Sequence, residues 1–215
     1  MTRHKNIFRQ EPKQFKGQEI INKKFVKKFL FDADFRETKL SFTNFDSAML
    51  EGARFDDSEL ESVSMRNTHL AHAKFRNALM INADLSYDRT TPDSRNTCNY
   101  ADFSKSDLNR SDLSRCPLTY AKFESASLAN TNFDRAVLVA ADFTGACNFS
   151  CSFRFANLSR ARLIGADLRG ADLSFANLSG ANLRDAIYDE TTIWRGARYN
   201  QRTRWVEGAR RPAPL

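Results

Sequence analysis

Few residues of this 215-residue chain have types and spacing that could do chemistry. His69 and His72 could form a metal pair, but no cysteine lies near them, and Cys147 and Cys151 share only a C-x3-C spacing. The phosphate loops G-x-x-x-x-G-K-[ST] and G-x-G-x-x-G and the nucleophile elbow G-x-S-x-G are all absent. We therefore predict that the protein is not an enzyme and holds no metal or cofactor.

Aspartate recurs one position before a large apolar residue, and a row of carboxylates could in principle do acid and base chemistry. The same position holds asparagine in the segments ANLSG and ANLRD, and asparagine does not titrate. The pattern therefore favours polar exposure and local turn hydrogen bonds. The aspartates are Asp34, Asp84, Asp102, Asp107, Asp112, Asp142, Asp167 and Asp172.

A five-residue repeat must position these side chains. Every fifth residue is apolar from Phe15 to Leu85, and the series resumes in a shifted register from Phe103 to Ile193, interrupted only by Asn148. At Asn148 we expect a bulge or a shifted face that turns Phe149 inward. In most units the residue two positions earlier is small, and two positions apart in extended chain means the same side. Both residues of each unit should therefore point into a core.

A period of five fits neither a straight helix nor a long strand, so it predicts short extended pieces joined by turns. Phenylalanine recurs at a period of ten in the first block, which makes four units, or 20 residues, the simplest coil. We predict two stacked columns of core phenylalanines. The first holds Phe15, Phe35, Phe55 and Phe75, and the second holds Phe103, Phe123 and Phe143.

Four consecutive units, ADLRG, ADLSF, ANLSG and ANLRD (166–185), resemble the A(D/N)LXX motif of the pentapeptide-repeat family. The resemblance implies an all-β fold: a right-handed quadrilateral parallel β-helix, a solenoid of about eight coils interrupted by one ejected loop. The opening, Phe15-Lys-Gly17-Gln-Glu-Ile20, is also similar to the Qnr and MfpA members, which bind DNA gyrase and mimic duplex DNA.

The repeat divides the chain into five parts. They are a flexible segment (1–12), a first β-helix block (13–87), an ejected loop (88–100), a second block of the same solenoid (101–193), and a capping tail with a disordered end (194–215). In the loop, Arg89, Arg95 and Tyr100 are candidate partner contacts, and a tolerated insertion without a role is the alternative. In the tail, Trp194 and Trp205 should cover the last coil, and an aromatic, arginine-rich contact site is the alternative.

The first coil departs from the motif because Lys13, Gln18, Lys23 and Lys28 occupy its small-residue position. Lysine is almost never fully buried without a partner. We expect an imperfect coil that caps the rod with its lysines turned outward. An amphipathic basic helix over Glu19–Leu30 is the alternative.

Composition excludes several protein classes. With 41% hydrophobic residues, 27% charged residues and four cysteines, the chain matches neither a disulfide miniprotein nor collagen. Its longest apolar run, 136–141, is far too short to span a bilayer. The first twelve residues contain no apolar signal region, so we expect a cytoplasmic protein.

Charge is distributed unevenly. Residues 1–31 carry net +7 and residues 194–215 carry net +5, so the total of +7 leaves −5 for residues 32–193. The resemblance and this acidic body predict a protein-interaction module, a DNA-mimicking modulator or protector of DNA gyrase with Asp102, Asp107 and Asp112 as contacts. The alternative is a structural or assembly scaffold for another protein partner. We expect no direct binding of nucleic acid or membrane, and both a monomer and a homodimer stay open.

Overall fold

The computed structural model describes residues 11–88 and 98–207, and their backbone winds into a rod of stacked coils. Parallel β-bridges join residues that lie 20 positions apart, such as Gln14 with Asp34 and Lys122 with Asp142. Each five-residue unit contributes a single bridging residue, and the described ranges contain neither a helix nor a longer strand. The fold is therefore a parallel β-solenoid with 20 residues per coil. Its right hand stays a prediction from the resemblance.

The unit 121–125 shows why the motif has its form. Ala121 and Phe123 point inward and are fully buried, while Lys122 between them points outward and forms the bridge. The backbone N–H of Ala126 donates to the carbonyl of Phe123, which closes a turn over Glu124 and Ser125. Ser125 has a φ of 56°, and a positive φ at the third residue is what a type II turn requires. The turn reverses the chain direction at each corner.

The bridging residues form four columns, and each column defines one face of the rod. Face 1 runs from Gln14 to Arg204, face 2 from Glu19 to Ile187, face 3 from Lys24 to Ile193 and face 4 from Phe29 to Arg198. The coils are 13–32, 33–52, 53–72, 73–100, 101–120, 121–140, 141–160, 161–180 and 181–202, numbered 1 to 9 in this order. A tenth begins at residue 203. The described rod thus has nine complete coils rather than about eight.

The phenylalanines behind face 1 form one continuous column instead of the two that were predicted. Neighbouring rings stack with centroids 4.5 to 5.1 Å apart and interplanar angles of 10° or less. The contact between Phe75 and Phe103, at 4.9 Å, joins the two halves. All members except the terminal Phe15 are fully buried. They are Phe15, Phe35, Phe55, Phe75, Phe103, Phe123 and Phe143.

The prediction of a thirteen-residue loop is wrong at its C-terminal end. Cys98 points into the core, only 3% exposed, and its N–H donates to the carbonyl of Pro117 in the next coil. The N–H of Tyr100 likewise donates to Thr119. Residues 98–100 therefore complete face 4 of coil 4. The step from Leu85 to Cys98 is 13 residues instead of five, so the insertion adds eight. Residues 89–97, and with them the candidate contacts Arg89 and Arg95, lie outside the described residues.

Coil 1 is a regular coil, so the alternative of a helix over Glu19–Leu30 is wrong. Glu19, Lys24 and Phe29 each form a parallel bridge to coil 2. The four residues in its small position, from Lys13 to Lys28, are all exposed. Their long side chains can lie outside the core because no described coil packs beneath them.

Asn148 does not cause the expected shift of register. Its side chain is fully buried in the core, and Phe149 stays outside with 47% of its surface exposed. The Asn148 amide donates to the carbonyl of Ala146 at 3.2 Å, while Oδ1 has no hydrogen-bond partner. The stacked backbone thus keeps the register although one inward side chain is polar.

The last coil continues the repeat through the tail, with two steps of six residues. Tyr188, Trp194, Tyr199 and Trp205 take the inward positions, and Ile193, expected inward, forms the outward bridge and is 47% exposed. The four rings meet edge to face, with centroids 5.1 to 5.7 Å apart. Trp194 and Trp205 therefore pack over the end of the aliphatic core. No helix in the described ranges is long and apolar enough to cross a lipid bilayer.

Candidate interaction surface

Face 1 is densely charged, and its charges largely neutralise one another. Asp56, only 5% exposed, accepts hydrogen bonds from Arg76 at 2.9 Å and from Arg54 at 3.2 Å. Burial alone would raise the pKa of Asp56, but the hydrogen bonds and charges of Arg76 and Arg54 outweigh it and lower the pKa. Asp34 receives two hydrogen bonds from Arg36, and these lower its pKa as well. Paired charges of this kind stabilise the rod and leave little field for a partner.

The proposed DNA-like contacts Asp102, Asp107 and Asp112 lie on faces 1, 2 and 3 of coil 5. Each is half-buried, and each accepts a hydrogen bond from the backbone N–H two residues ahead, at 2.8 to 3.1 Å. This is the local turn bonding that the motif predicts. The structure therefore does not bring the three carboxylates together.

The columns above and below these aspartates do not form acidic rows. On face 1, Asp102 is bridged to Lys74 on one side and to Lys122 on the other. On face 3, Asp112 does follow Asp84, but Asn132 comes next. A duplex-like surface needs charge repeated along a line, and the described faces interrupt it within one or two coils.

Face 4 differs from the other three because it is almost free of charge. From coil 3 to coil 8, its described outward residues and those of the corner beyond it include one formally charged side chain, Arg160. These residues are His69, Ala71, His72, Asn99, Tyr100, Pro117, Thr119, Tyr120, Val137, Val139, Ala140, Asn157, Ser159, Arg160, Asn177, Ser179 and Gly180. We call this surface the uncharged face.

Aromatic side chains stand along one edge of the uncharged face. His72, Tyr100 and Tyr120 stack on successive coils with centroids 5.0 and 5.1 Å apart. Half of the surface of each tyrosine is exposed, at 50% and 49%. The ladder is a flat, rigid and amphipathic strip, which is the kind of surface that protein interfaces favour. Of the three predicted loop contacts, Tyr100 is the one within the described residues.

A shallow cavity of about 320 Å³ lies at the opposite edge of the uncharged face. Arg115, Arg135, Val137, Phe155 and Asn157 line it, and the guanidinium of Arg135 sits 4.7 Å from the centre of the Phe155 ring. The cation is thereby held against an aromatic face. The cavity can receive an apolar or aromatic side chain of a partner.

The cysteines and histidines form no reactive cluster. The thiol of Cys116 donates to Cys98 at 2.9 Å, and this contact together with burial raises the pKa of Cys116. Burial also raises the pKa of Cys151. Protonated thiols are poor nucleophiles and poor metal ligands. Within 11–88 and 98–207, no three His, Cys, Asp or Glu side chains are placed to hold a metal ion.

Sequence reasoning missed the uncharged face. Its signal is a lack of charge in every fourth unit, which becomes visible only when the units are aligned at the correct 20-residue period. Reading residues 98–100 as loop removed one unit of face 4 and shifted the alignment of all later units by one face.

Comparison with known proteins places this geometry. The family model described as "Pentapeptide repeats" matches in overlapping segments: 30–67, 58–87, 98–133, 116–147 and 150–187. No curated protein sequence matches significantly.

Three solved structures illustrate the likeness. The pentapeptide repeat protein Rfr23 from the cyanobacterium Cyanothece 51142 is 23% identical over 66% of this chain and 90% of its own, with a TM-score of 0.41. HetL from Nostoc sp. strain PCC 7120, involved in heterocyst differentiation regulation, is 24% identical over 92% and 91%, with a TM-score of 0.30. Full-length QnrB1, a plasmid-mediated fluoroquinolone resistance protein, is 16% identical over 87% and 94%, with a TM-score of 0.32. The family model covers well over half of the sequence, and the chain belongs to the pentapeptide-repeat family.

Proposed function

We propose that this protein is a non-enzymatic interaction module that binds a partner protein along the uncharged face. The observation that supports the proposal is the charge distribution: three faces carry closely spaced charges, and one carries a single arginine over six coils. The centres of protein interfaces are depleted in charge and enriched in aromatic residues, as this face is. Nucleic acid is a poor candidate, because phosphates require lysines or arginines to neutralise them.

The dimensions fit a protein partner. Coils stack at about 4.8 Å, so the uncharged face extends roughly 25–30 Å along the rod. A standard interface buries about 800 Å² on each partner, which corresponds to a patch of similar length. The partner surface should itself be apolar and uncharged, because a charge placed against this face would lose its hydration without gaining a counter-charge.

A narrower proposal names the partner as DNA gyrase, with the protein acting as a DNA-mimicking modulator or protector of the enzyme. It is supported by the net charge of −5 over residues 32–193, since a channel built for phosphates attracts negative surface. The lysines beside Asp102 weaken the mimicry. The uncharged face favours the broader alternative, a scaffold for a protein that does not read DNA-like charge.

Site-specific photo-crosslinking in the cell of origin tests both proposals. A benzophenone amino acid is placed at Thr119 or Val139 on the uncharged face, and at Ser127 or Ser152 on faces 2 and 3 as matched half-exposed or exposed controls. We expect one crosslinked band from Thr119 and Val139 only, and we expect Val137→Asp to abolish it. Antibodies against the gyrase subunits then identify or exclude gyrase in the band.

Each outcome decides a proposal. Equal crosslinking from all four positions, or bands from Ser127 and Ser152 alone, would overturn the uncharged face as the binding surface. The gyrase proposal is supported if the purified protein changes supercoiling by gyrase, with or without a fluoroquinolone, and if reversal of Asp102, Asp107 and Asp112 to lysine removes the effect. It fails if supercoiling is unchanged.

A further inference from the structure

Most arginines along the rod contact an aspartate, but a group at the C-terminal end does not. The paired ones are Arg36, Arg54, Arg66, Arg76, Arg154, Arg162 and Arg169. By contrast, the guanidinium groups of Arg160, Arg202 and Arg204 make no ion pair or hydrogen bond with any described residue. All three side chains are exposed, and all three line the same cavity.

The cavity lies where the last coils meet at the corner between faces 4 and 1, and its volume is about 540 Å³. Gly180 forms its floor, with a φ of 72°. A methyl group at Gly180 would lie 3.7 Å from Cγ of Arg160 and 3.8 Å from Cβ of Arg202. The missing side chain thus lets arginine stems from coils 7 and 9 approach each other across coil 8.

The position of Arg202 depends on the extra residue in the last coil. The steps of six residues place Asn200 and Thr203 so that both accept from the Gly180 N–H, at 3.1 and 3.2 Å. This fixes the segment that carries Arg202 above the glycine. The remaining lining residues, Asn182 and Gln201, are carboxamides, and no carboxylate lines the cavity.

We propose that this cavity binds a phosphoryl oxyanion. Three guanidinium groups offer many N–H donors in planar forks, which match phosphate oxygens. The stems of Arg160 and Arg202 start two coils apart, about 9.6 Å. This span suits a ligand with two phosphoryl groups better than a single carboxylate. Such a ligand is either a free polyphosphate or a doubly phosphorylated segment of another protein. The proposal does not depend on which protein binds the uncharged face.

Titration calorimetry on the full chain tests the site with two probes at low ionic strength, sodium pyrophosphate and a short peptide with two adjacent phosphoserines. The variants are Arg160→Gln with Arg202→Gln, and the matched control is Arg110→Gln, an exposed arginine at a corner of coil 5. We expect the double variant to weaken binding at least tenfold, the control to leave it unchanged, and salt to weaken it further.

The two probes distinguish the source of the phosphoryl groups. Binding of pyrophosphate supports a free ligand, and binding of the peptide alone supports a phosphorylated partner. The site is overturned if neither probe binds, or if the double variant binds as tightly as the wild type. Circular dichroism of each variant verifies the fold, and exposed arginines without partners should leave the melting temperature nearly unchanged.

Discussion

Asn148 is the one residue of the inward series whose chemistry opposes its surroundings. It lies in the column that holds Leu128 and Leu168, fully buried, with Oδ1 unpaired. An unpaired buried acceptor costs about 1–3 kcal/mol. The stacked backbone hydrogen bonds on both sides hold the residue in place in spite of this cost.

Replacing Asn148 with leucine should therefore stabilise the protein by about 1–3 kcal/mol, because it removes the unpaired oxygen and adds an apolar side chain that the same column accepts elsewhere. Chemical denaturation measures the gain. Asn132→Leu is the control: this outward residue accepts a hydrogen bond from Asp134, so its loss should bring no gain. A less stable Asn148→Leu protein would show that the amide contributes more than its environment suggests.

Asp56 links stability to pH. Its pKa in the folded protein lies below the ordinary value of about 3.9 in an unfolded chain, because Arg76 and Arg54 bind its charged form more strongly than burial disfavours it. A lowered carboxylate pKa contributes stability that is present above pH 4 and is lost as the pH falls through the folded-state value.

Asp56→Asn should accordingly lower the free energy of unfolding at pH 7 by about 1–3 kcal/mol, since it removes a buried charged acceptor from two arginines. The difference from wild type should shrink below pH 4, where the wild type loses the same interaction. Asp57→Asn, an exposed neighbour, is the control. A difference that stays constant from pH 7 to pH 2 would contradict the ion-pair explanation.

At the scale of the element, the inserted loop separates two periods that the rest of the chain keeps together. The five-residue period is restored by removing either eight or thirteen residues after Tyr87. The 20-residue period is restored only by removing eight, because Phe103 must then fall behind face 1, above Phe75.

Deleting residues 88–95 should leave the melting temperature within a few degrees of wild type. Deleting 88–100 should lower it much further, because Phe103 would then stack on Leu70 of face 4 and every later column would be displaced by one face. Thermal denaturation followed by circular dichroism compares the two. Equal melting temperatures for both deletions would mean that the order of the columns does not contribute to stability.

The same distinction explains what could be predicted from the sequence. The inward positions and the small slot followed from single units, because a buried residue pair is local to its five residues. The number of coils and the place of Cys98 depend on how units stack on one another, and a single unit holds no information about this. The tail was harder still: Trp194 becomes inward only because one extra residue precedes it, and Ile193 satisfies the apolar pattern equally well.

For candidate surfaces, the sequence named residues by type and the structure grouped them by face. Asp102, Asp107 and Asp112 are adjacent in the list of units but point in three directions. Tyr100 and Tyr120 are 20 residues apart but stack on each other. The arginines of the terminal cavity come from residues 160 to 204, and the glycine between them is what brings their stems together.

At the scale of the whole molecule, each coil contacts only its neighbours, so the energetic effect of a substitution should depend on its position along the rod. A disturbance in the middle affects coils on both sides. A disturbance in the last coil can be confined to that end, because opening it leaves the other eight coils stacked.

Phe123→Ala in coil 6 should therefore destabilise the protein globally by about 3–5 kcal/mol, as aromatic deletions in cores do. Trp205→Ala should mainly accelerate amide hydrogen exchange near the end, for example at the N–H of Leu183, which donates to Arg204. Hydrogen exchange measured by mass spectrometry separates the two patterns. Uniform acceleration in Trp205→Ala would show that the rod unfolds as a single cooperative unit.

The two end coils have a further consequence for colloidal behaviour. The spacing of about 4.8 Å between coils is also the spacing of cross-β fibres, so an open end could act as a seed for growth into a polymer. On coil 1, the exposed Lys13, Lys23 and Lys28 occupy positions where a stacking coil would require small side chains. At the other end, the six-residue steps of coil 9 are out of phase with any regular coil. Molecules of this protein therefore cannot add to one another end to end in register, and the rod remains a particle of fixed length.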